Sequence, residues 1–373
     1  MKFQVSSSRL LQQMQALNRV IAAKNSLQIL ETVLFDLNGN QLVLTASDGE
    51  TTMRTSIEVE GEGAGKVAFD AKRLLDTLKE FPEQPLTFDI NDQNFGLNIT
   101  SSNGNYSFVG VNGNEYPEMA QQLQGAQTFT IAASTLLGAL NKTVFCTADD
   151  ELRPVMNGVF FDLAEDKITL VATDAHRLVR YINVTAHTDA PANFILPKKP
   201  ANLLRSVLQK EQDDVQVSFT DKNVSFVFGQ TIITCRQIEG RFPNYNAVIP
   251  QNNKNKIVVD RQTILIAAKR VSVFANPGTG LIKLSLNTNS INISAQDIDF
   301  STSAEETIEC NYDGEPMNIG FKAPFLIEIL AAVQSNDVVI ELADPSKAGL
   351  ILPFENEEGE DIVMLLMPML LND

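Results

Sequence analysis

Asp174 and His176 are the residues of this chain that most resemble reactive chemistry, standing in the run Ala172-Thr173-Asp174-Ala175-His176-Arg177-Leu178. A carboxylate and an imidazole two positions apart could serve as a general acid–base pair. Such a pair needs a nucleophile to activate, and the chain has no Gly-x-Ser-x-Gly elbow and no nucleophile with a base close by in sequence. The pair therefore reads as structural or ligand-binding, and the chain reads as a non-enzyme. Gly61-Glu62-Gly63-Ala64-Gly65-Lys66 invites comparison with a phosphate-binding loop, but Glu60 stands where the first glycine belongs. Val67 follows the lysine where a magnesium-binding hydroxyl is required. We read this segment as a flexible hairpin connection. The three cysteines, Cys146, Cys235 and Cys310, are odd in number and lack Cys-x-x-Cys spacing, so they read as buried thiols rather than a disulfide or zinc framework. His176 and His187 are too few and too isolated to build a metal site with them. No metal and no cofactor is expected.

What positions these residues must come from a large apolar chain. With 373 residues and 44% hydrophobic content, it can fill two or three cores. No stretch reaches the roughly 18 to 20 apolar residues of a membrane span. The amino-terminal helical pattern is interrupted by Gln12, Gln13, Gln15, Asn18 and Arg19, which excludes a signal segment and places the protein in the cytoplasm. The terminal Ile362–Leu371 run contains Pro368 and is too short to cross a bilayer, so it reads as a last buried strand.

The strongest organising signal is repetition at 120 to 126 residues, long enough for the repeat to be a domain. Three segments open with a short strand (Phe3–Val5, Phe129–Ile131, Ile257–Val259), a polar cap and an amphipathic helix (Ser8–Ile21, Ser134–Phe145, Asp260–Val273). In the first helix Leu10, Leu11, Met14, Leu17 and Ile21 fall on one face of a 3.6-residue period. Strands follow, and one ends each time in Ala-x-Asp: Ala46–Asp48, Ala172–Asp174 and Ala295–Asp297. Each copy then repeats its plan, with a second helix marked by Leu74, Leu75 and Leu78, by Leu203, Leu204, Val207 and Leu208, and by Phe325, Leu326, Ile329 and Leu330. The fold class is α+β: three tandem domains, 1–121, 127–249 and 256–373, each with two helices packed on antiparallel sheets. Sheets with helices on one face can join edge to edge and curve into a closing assembly.

The net charge of −17 opposes nucleic-acid binding only on average. The six helical stretches, 8–24, 71–80, 134–145, 198–211, 260–275 and 322–334, carry fifteen Lys or Arg against five Asp or Glu, leaving −27 for the rest. Arg19, Lys24, Lys72, Arg73, Lys142, Lys198, Lys199, Arg205, Lys269 and Arg270 would then attract phosphates without reading bases, while an acidic exterior repels them. Ordinary solvated helix faces account for the same cations equally well.

With Met1-Lys2-Phe3, the Ala172–Leu178 run, Gly240-Arg241-Phe242-Pro243-x-Tyr245 and the terminal Val363–Met369 strand in order, the whole chain resembles the beta subunit of bacterial DNA polymerase III, the sliding clamp family. The resemblance implies a head-to-tail homodimeric ring around duplex DNA, bound without sequence preference. Such a ring is opened by a clamp loader and confers processivity on the DNA polymerase III catalytic subunit. It implies a dimer contact of Tyr106 and Phe108 against Val273 and Phe274. It also implies a groove for short linear motifs of polymerases, the loader and mismatch-repair proteins. The deep part would be Met156, Thr173, Ala175, His176, Arg177, Leu178, Pro243, Val248 and Met367, and the shallower part Arg153, Phe325, Ser346, Pro368 and Met369. The chain departs from the family at Ala175, where glycine is usual, at Pro154-Val155, where aromatic residues are common, and in its Leu370–Asp373 tail. The loop Asp149-Asp150-Glu151 is acidic. The competing reading is a non-catalytic multi-domain interaction scaffold that does not enclose DNA.

Overall fold

A strand ending in a short oxygen-bearing side chain can pass directly into a helix, because that oxygen satisfies a free amide of the first turn. Ser6, Asp70 and Asp260 do this, accepting from the amides of Arg9, Arg73 and Thr263 at 3.2, 2.6 and 2.7 Å. The structure is a computed structural model that describes residues 1–22, 27–117 and 123–371.

The chain lays down one pattern three times. The first copy runs β1 (Lys2–Ser6), α1 (Ser7–Leu17), β2 (Thr32–Asn38), β3 (Gln41–Ser47), β4 (Thr51–Glu58), β5 (Glu60–Glu62), β6 (Ala64–Asp70), α2 (Ala71–Lys79), β7 (Pro85–Ile90), β8 (Gly96–Thr100), β9 (Asn105–Val109) and the short β10 (Val111–Asn112). The second runs β11 (Gln127–Ala132), α3 (Ala133–Thr143), β12 (Gly158–Leu163), β13 (Ile168–Thr173), β14 (Arg177–Asn183), β15 (Ala192–Pro197), α4 (Lys198–Val207), β16 (Asp214–Phe219), β17 (Asn223–Phe228) and β18 (Thr231–Arg236). The third runs β19 (Asn255–Asp260), α5 (Arg261–Ser272), β20 (Leu281–Asn287), β21 (Ser290–Asp297), β22 (Thr302–Glu309), β23 (Met317–Lys322), α6 (Ala323–Ala332), β24 (Asp337–Leu342), β25 (Gly349–Pro353) and β26 (Glu360–Leu366).

Two compact units result. In Met1–Leu137 with Lys199–Gln237, one sheet has the order β5-β1-β7-β8-β9 and the other β10-β6-β2-β3-β4-β18-β17-β16-β11. In Gly138–Lys198 with Ile238–Asp373, the orders are β15-β12-β13-β14-β26-β25-β24-β19 and β22-β21-β20-β23. Each long sheet crosses from one repeat to the next through an antiparallel pair, β4 with β18 and β14 with β26. The short sheets end at β9 and β22. Both units bury alternate strand residues under the helices. Leu10, Met14 and Leu17 of α1 are fully buried in the first, and Phe161 stacks on Phe194 at 4.5 Å in the second.

Three local expectations need correction. Helix α1 stops at Leu17 rather than Ile21, because Arg19 and Val20 bond to the carbonyls three residues back and tighten the chain. Buried Val20 thereby closes the apolar face. Gly61 and Gly65 lie within β5 and β6 rather than in a loose connection. A side-chain carbon on Gly61 would come 2.2 Å from the Gly39 carbonyl oxygen, so that glycine serves close packing. The final strand ends at Leu366, since Pro368 has no amide to continue a ladder. Of the thiols, Cys146 and Cys235 are buried and Cys310 only partly so. Among the described residues no helix is long and apolar enough to cross a membrane.

Candidate functional site

The turn between β13 and β14 is built by its own side chains. Thr173 Oγ1 accepts from the Ala175 amide (3.1 Å) and donates to the Arg177 carbonyl (2.7 Å), while Asp174 Oδ1 accepts the amides of His176 and Arg177 at 2.9 Å each. Asp174 Oδ2 receives Arg177 Nε at 3.0 Å. Both carboxylate oxygens are thus engaged, and Asp174 is a turn-forming residue rather than a partner of His176. Arg177, 6% exposed, donates further to Glu328 (2.6 Å) and the Phe145 carbonyl (2.9 Å), with its guanidinium 4.4 Å from the Phe325 ring centre. Cys146 beside it has its thiol pushed far up by burial, which removes it as a nucleophile.

The exposed His176 imidazole lies 6.2 Å from the ring of Phe325, and its carbonyl accepts the Met367 amide at 2.8 Å. Met369 is held in turn by its amide to the Gly320 carbonyl, 2.8 Å, where the backbones lie too close for any side chain at Gly320. Half-buried Pro368 lies between two anchored residues, and Met367 projects with 42% of its surface exposed. Behind this rim lies an apolar cluster that includes Leu178, Phe242, Ile249, Ala348 and Leu365, with Val155, Ile238 and Tyr245 packed against it. Phe242 stacks on Phe160 at 4.6 Å, and the Tyr245 hydroxyl donates to Asp162 at 2.7 Å. Burial, then that bond, pushes the Tyr245 phenol up to about 12.

The structure therefore joins Thr173, Ala175, His176, Arg177, Leu178, Phe325 and Met367 through bonded or ring contacts. Met156, Pro243 and Val248 are chain neighbours of cluster residues Val155, Phe242 and Ile249. Ser346 caps a separate turn through Asp344, at 2.6 Å from its hydroxyl. Arg153 pairs with Asp150 and, with His176 and Arg177, lines an adjoining polar cleft of about 450 Å³ with Asp149, Lys198 and Glu328. Sequence reasoning missed Val155, Ile238 and Tyr245 as supports; for Ile238, between Gln237 and Glu239, and Tyr245, between Asn244 and Asn246, alternation with polar neighbours was the available signal, and Val155, between Pro154 and Met156, offered none.

Arg19, Lys72, Arg73 and Lys269 are exposed, and Arg205 is half-buried on α4. Lys198 pairs with Asp149 at 2.6 Å, Lys199 with Asp48, and Arg270 with Glu306. Lys142 departs from expectation. It is 3% exposed and bound by Glu357 and Glu360, since a buried ammonium must find carboxylates, so it is no free phosphate ligand. Lys24, Gln121 and the last two tail residues lie outside the described residues. Tyr106 (40% exposed) and half-buried Phe108 stand on edge strand β9, and Val273 (78%) and Phe274 (40%) follow α5. Among the described residues no group of three His, Cys, Asp or Glu side chains could hold a metal.

Three clamp-type α+β domains laid out on one repeated plan define the class. Sequence profiles of the DNA polymerase III beta subunit match the chain as its amino-terminal domain over residues 1–120, its central domain over 130–244 and its carboxy-terminal domain over 246–369. The chain belongs to the DNA polymerase III beta subunit family, the non-catalytic sliding clamps of DNA replication. It is 24% identical to the beta sliding clamp of Vibrio cholerae, covering 99% of this chain and all of that one. It is 28% identical to that of Synechococcus elongatus over 94% of each. Its fold matches the sliding clamp of Bartonella birtlesii, solved bound to griselimycin, with a TM-score of 0.93 and 27% identity over the whole of both chains.

Ala175 has a φ of +74°, a left-handed conformation that costs an L-residue about 1 kcal/mol and glycine almost nothing. Ala175→Gly is expected to stabilise the protein by about 0.5 to 1 kcal/mol in urea unfolding; an unchanged or lowered midpoint would refute strain at this turn.

Proposed function

We propose that two copies of this chain, each with domains 1–121, 127–249 and 256–373, close head to tail into a ring around duplex DNA in the cytoplasm. The ring tethers the DNA polymerase III catalytic subunit and presents a peptide groove to the clamp loader, other polymerases and mismatch-repair proteins. The single observation that carries this reading is the repeat-wise closure of the sheets. In the β4–β18 and β14–β26 joints, the first half of one repeat pairs with the second half of the next. The unused members of the series are β22 and β9, two edges with no paired strand among the described residues. β9 carries no charged residue and no proline to discourage pairing.

The register follows from the repeats. One ladder runs Phe129, Val217, Phe226, Ile233, Met53, Ala46, and its counterpart runs Ile257, Ile340, Ile351, Met364, Val179, Ala172. The third begins Phe3, Phe88, Ile99, Tyr106 and stops, while Ala304 and Ala295 wait on the other edge. Tyr106 of one subunit then faces Ala304 of the other, and Ser107 faces Ser303. Ile233 and Met364, at the position of Tyr106, are fully buried, whereas Tyr106 is 40% exposed. Covering it supplies hydrophobic stabilisation of about 25 cal/mol per Å².

The groove reading rests on an apolar floor with a few fixed polar groups, the usual composition of a peptide pocket. Met367 suits it because an unbranched thioether adapts to varied side chains. For DNA, Arg19, Lys72, Arg73, Lys199, Arg205, Lys198, Lys269 and Arg270, with Lys24, are the candidate cations, acting on phosphates alone.

Three measurements test this reading. Combining Ser107→Cys with Ser303→Cys should let a short bis-maleimide produce a covalent dimer that neither single change yields. Crosslinking only at a shifted position would overturn the register. His176→Ala with Met367→Ala should weaken a fluorescent peptide bearing a leading Gln and a hydrophobic end by about 10-fold or more, with the dimer intact in sedimentation; equal affinity would reject the groove. After loading by the cognate loader, the protein should stay on circular DNA and leave linear DNA by its ends, and Lys72→Glu with Lys269→Glu should shorten retention several-fold. Equal retention on both DNA forms would sink enclosure and favour a scaffold.

A further inference from the structure

We infer that Ile298 and Phe300 form an apolar plug that docks against Val109 and Val111 of a second copy of this chain, a contact without an equivalent at the two joints within the chain. The inference rests on the proposed dimer and adds to it a determinant of which subunits pair. Paired residues Ala295 and Ala304 are separated by eight residues, whereas six separate Ala46 from Met53 and Ala172 from Val179. The third repeat's turn is therefore two residues longer, and the extra length carries Ile298 at 80% and Phe300 at 74% exposure. Two large apolar side chains this exposed on one turn are costly to leave in water, so their cover is the question.

The turn is held in shape. Asp297, 3% exposed, accepts the amides of Asp299 and Phe300 at 2.9 and 3.3 Å, and Asn276 Nδ2 lies 3.5 Å from the carboxylates of both Asp297 and Asp299. Asn276 ties the turn to the segment that carries exposed Val273 and Phe274. The opposing surface is equally defined. Val109 is 81% and Val111 42% exposed, and the Gly110 amide between them donates to the Phe95 carbonyl at 2.8 Å. A side-chain carbon on Gly110 would meet the Ala68 carbonyl at 2.6 Å, so the backbone is pinned there with both valines presented.

The internal joints say where the two surfaces meet. At one, the Arg236 amide donates to the Glu50 carbonyl at 2.9 Å, and at the other the Met367 amide donates to the His176 carbonyl at 2.8 Å. Each donor lies three residues beyond the ladder residue Ile233 or Met364, and each acceptor three residues before Met53 or Val179. The same counting pairs the Val109 amide with the Ser301 carbonyl of the second copy, which sets Phe300 and Ile298 beside Val109 and Val111. Four exposed apolar side chains then cover one another, and the occupant of this surface is the chain itself.

Sedimentation of the full-length protein with Ile298→Ser and Phe300→Ser tests the plug. Most of the altered side-chain surface is exposed, so thermal unfolding of the subunit should change little, while the dimer dissociation constant should rise at least 10-fold. In a cycle of Phe300→Ser with Val109→Ser, the combined loss should fall clearly below the product of the two single losses, as it does for residues in contact. A wild-type dimer with an unaltered constant in the double variant, or losses that simply multiply, would overturn the plug and leave the ring standing. A wild type that remains a monomer at micromolar concentration would overturn both.

Discussion

An unpaired strand edge is a row of amides and carbonyls that must be satisfied by water or by another strand, and it sets the terms for this molecule. Each repeat makes two half-sheets, and each half-sheet has one outer edge that its own repeat cannot close. The chain closes two such pairs internally, producing continuous sheets of nine and eight strands, and leaves half-sheets of five and four. The helices, the turns after the Ala-x-Asp motifs and the buried ladders all follow from making those edges meet in register. The structural economy lies in one joint geometry used repeatedly, so that a rule visible inside a subunit also specifies its outer boundaries.

The proposed peptide groove would be a by-product of that joint. Where β14 meets β26, the turn carrying His176 and the chain leaving β26 at Met367 converge through one backbone hydrogen bond, and the core under them includes residues from both repeats. The equivalent bond at the other joint ends in Arg236 and Glu50, two charged residues, 3.5 Å apart as an ion pair. The same backbone meeting point thus carries charge at one joint and thioether and imidazole at the other. Chemistry at a joint is chosen by two or three side chains, while its geometry is fixed by the ladder.

Much of this was legible in the chain. The apolar period of Leu10, Met14 and Leu17, its echoes near 136 and 264, and the three Ala-x-Asp motifs were enough to find three repeats of two helices each. Those are local patterns, and helix faces and strand ends are decided locally. Lys142 was not legible. It looks like any cation on an amphipathic helix, and its carboxylate partners lie 215 and 218 residues away, at Glu357 and Glu360. The engagement of Asp174 in its own turn was likewise invisible, because spacing alone allows Asp174 to face either His176 or the amides that it actually binds. The two extra residues around Ile298 were hidden for another reason: exposure belongs to the folded surface, and composition cannot reveal it.

The helix charge acquires a different meaning once the pairs are known. A surplus of ten positive charges counted along six helices suggests a strongly attractive surface, yet Lys142 is buried, and Lys198, Lys199 and Arg270 each have a carboxylate partner. The more exposed pairs, Lys198 with Asp149 and Arg270 with Glu306, contribute little to stability, generally below about 1 kcal/mol, so they can be exchanged for a phosphate at small cost, whereas Lys199 is held by the nearly buried Asp48 carboxylate. Each such exchange would also leave a carboxylate close to the bound phosphate, lowering the net attraction per cation. For the proposed ring, which would retain DNA by enclosure, this is the useful regime: cations strong enough to keep a duplex centred, and sufficiently compensated that no phosphate would be gripped during sliding.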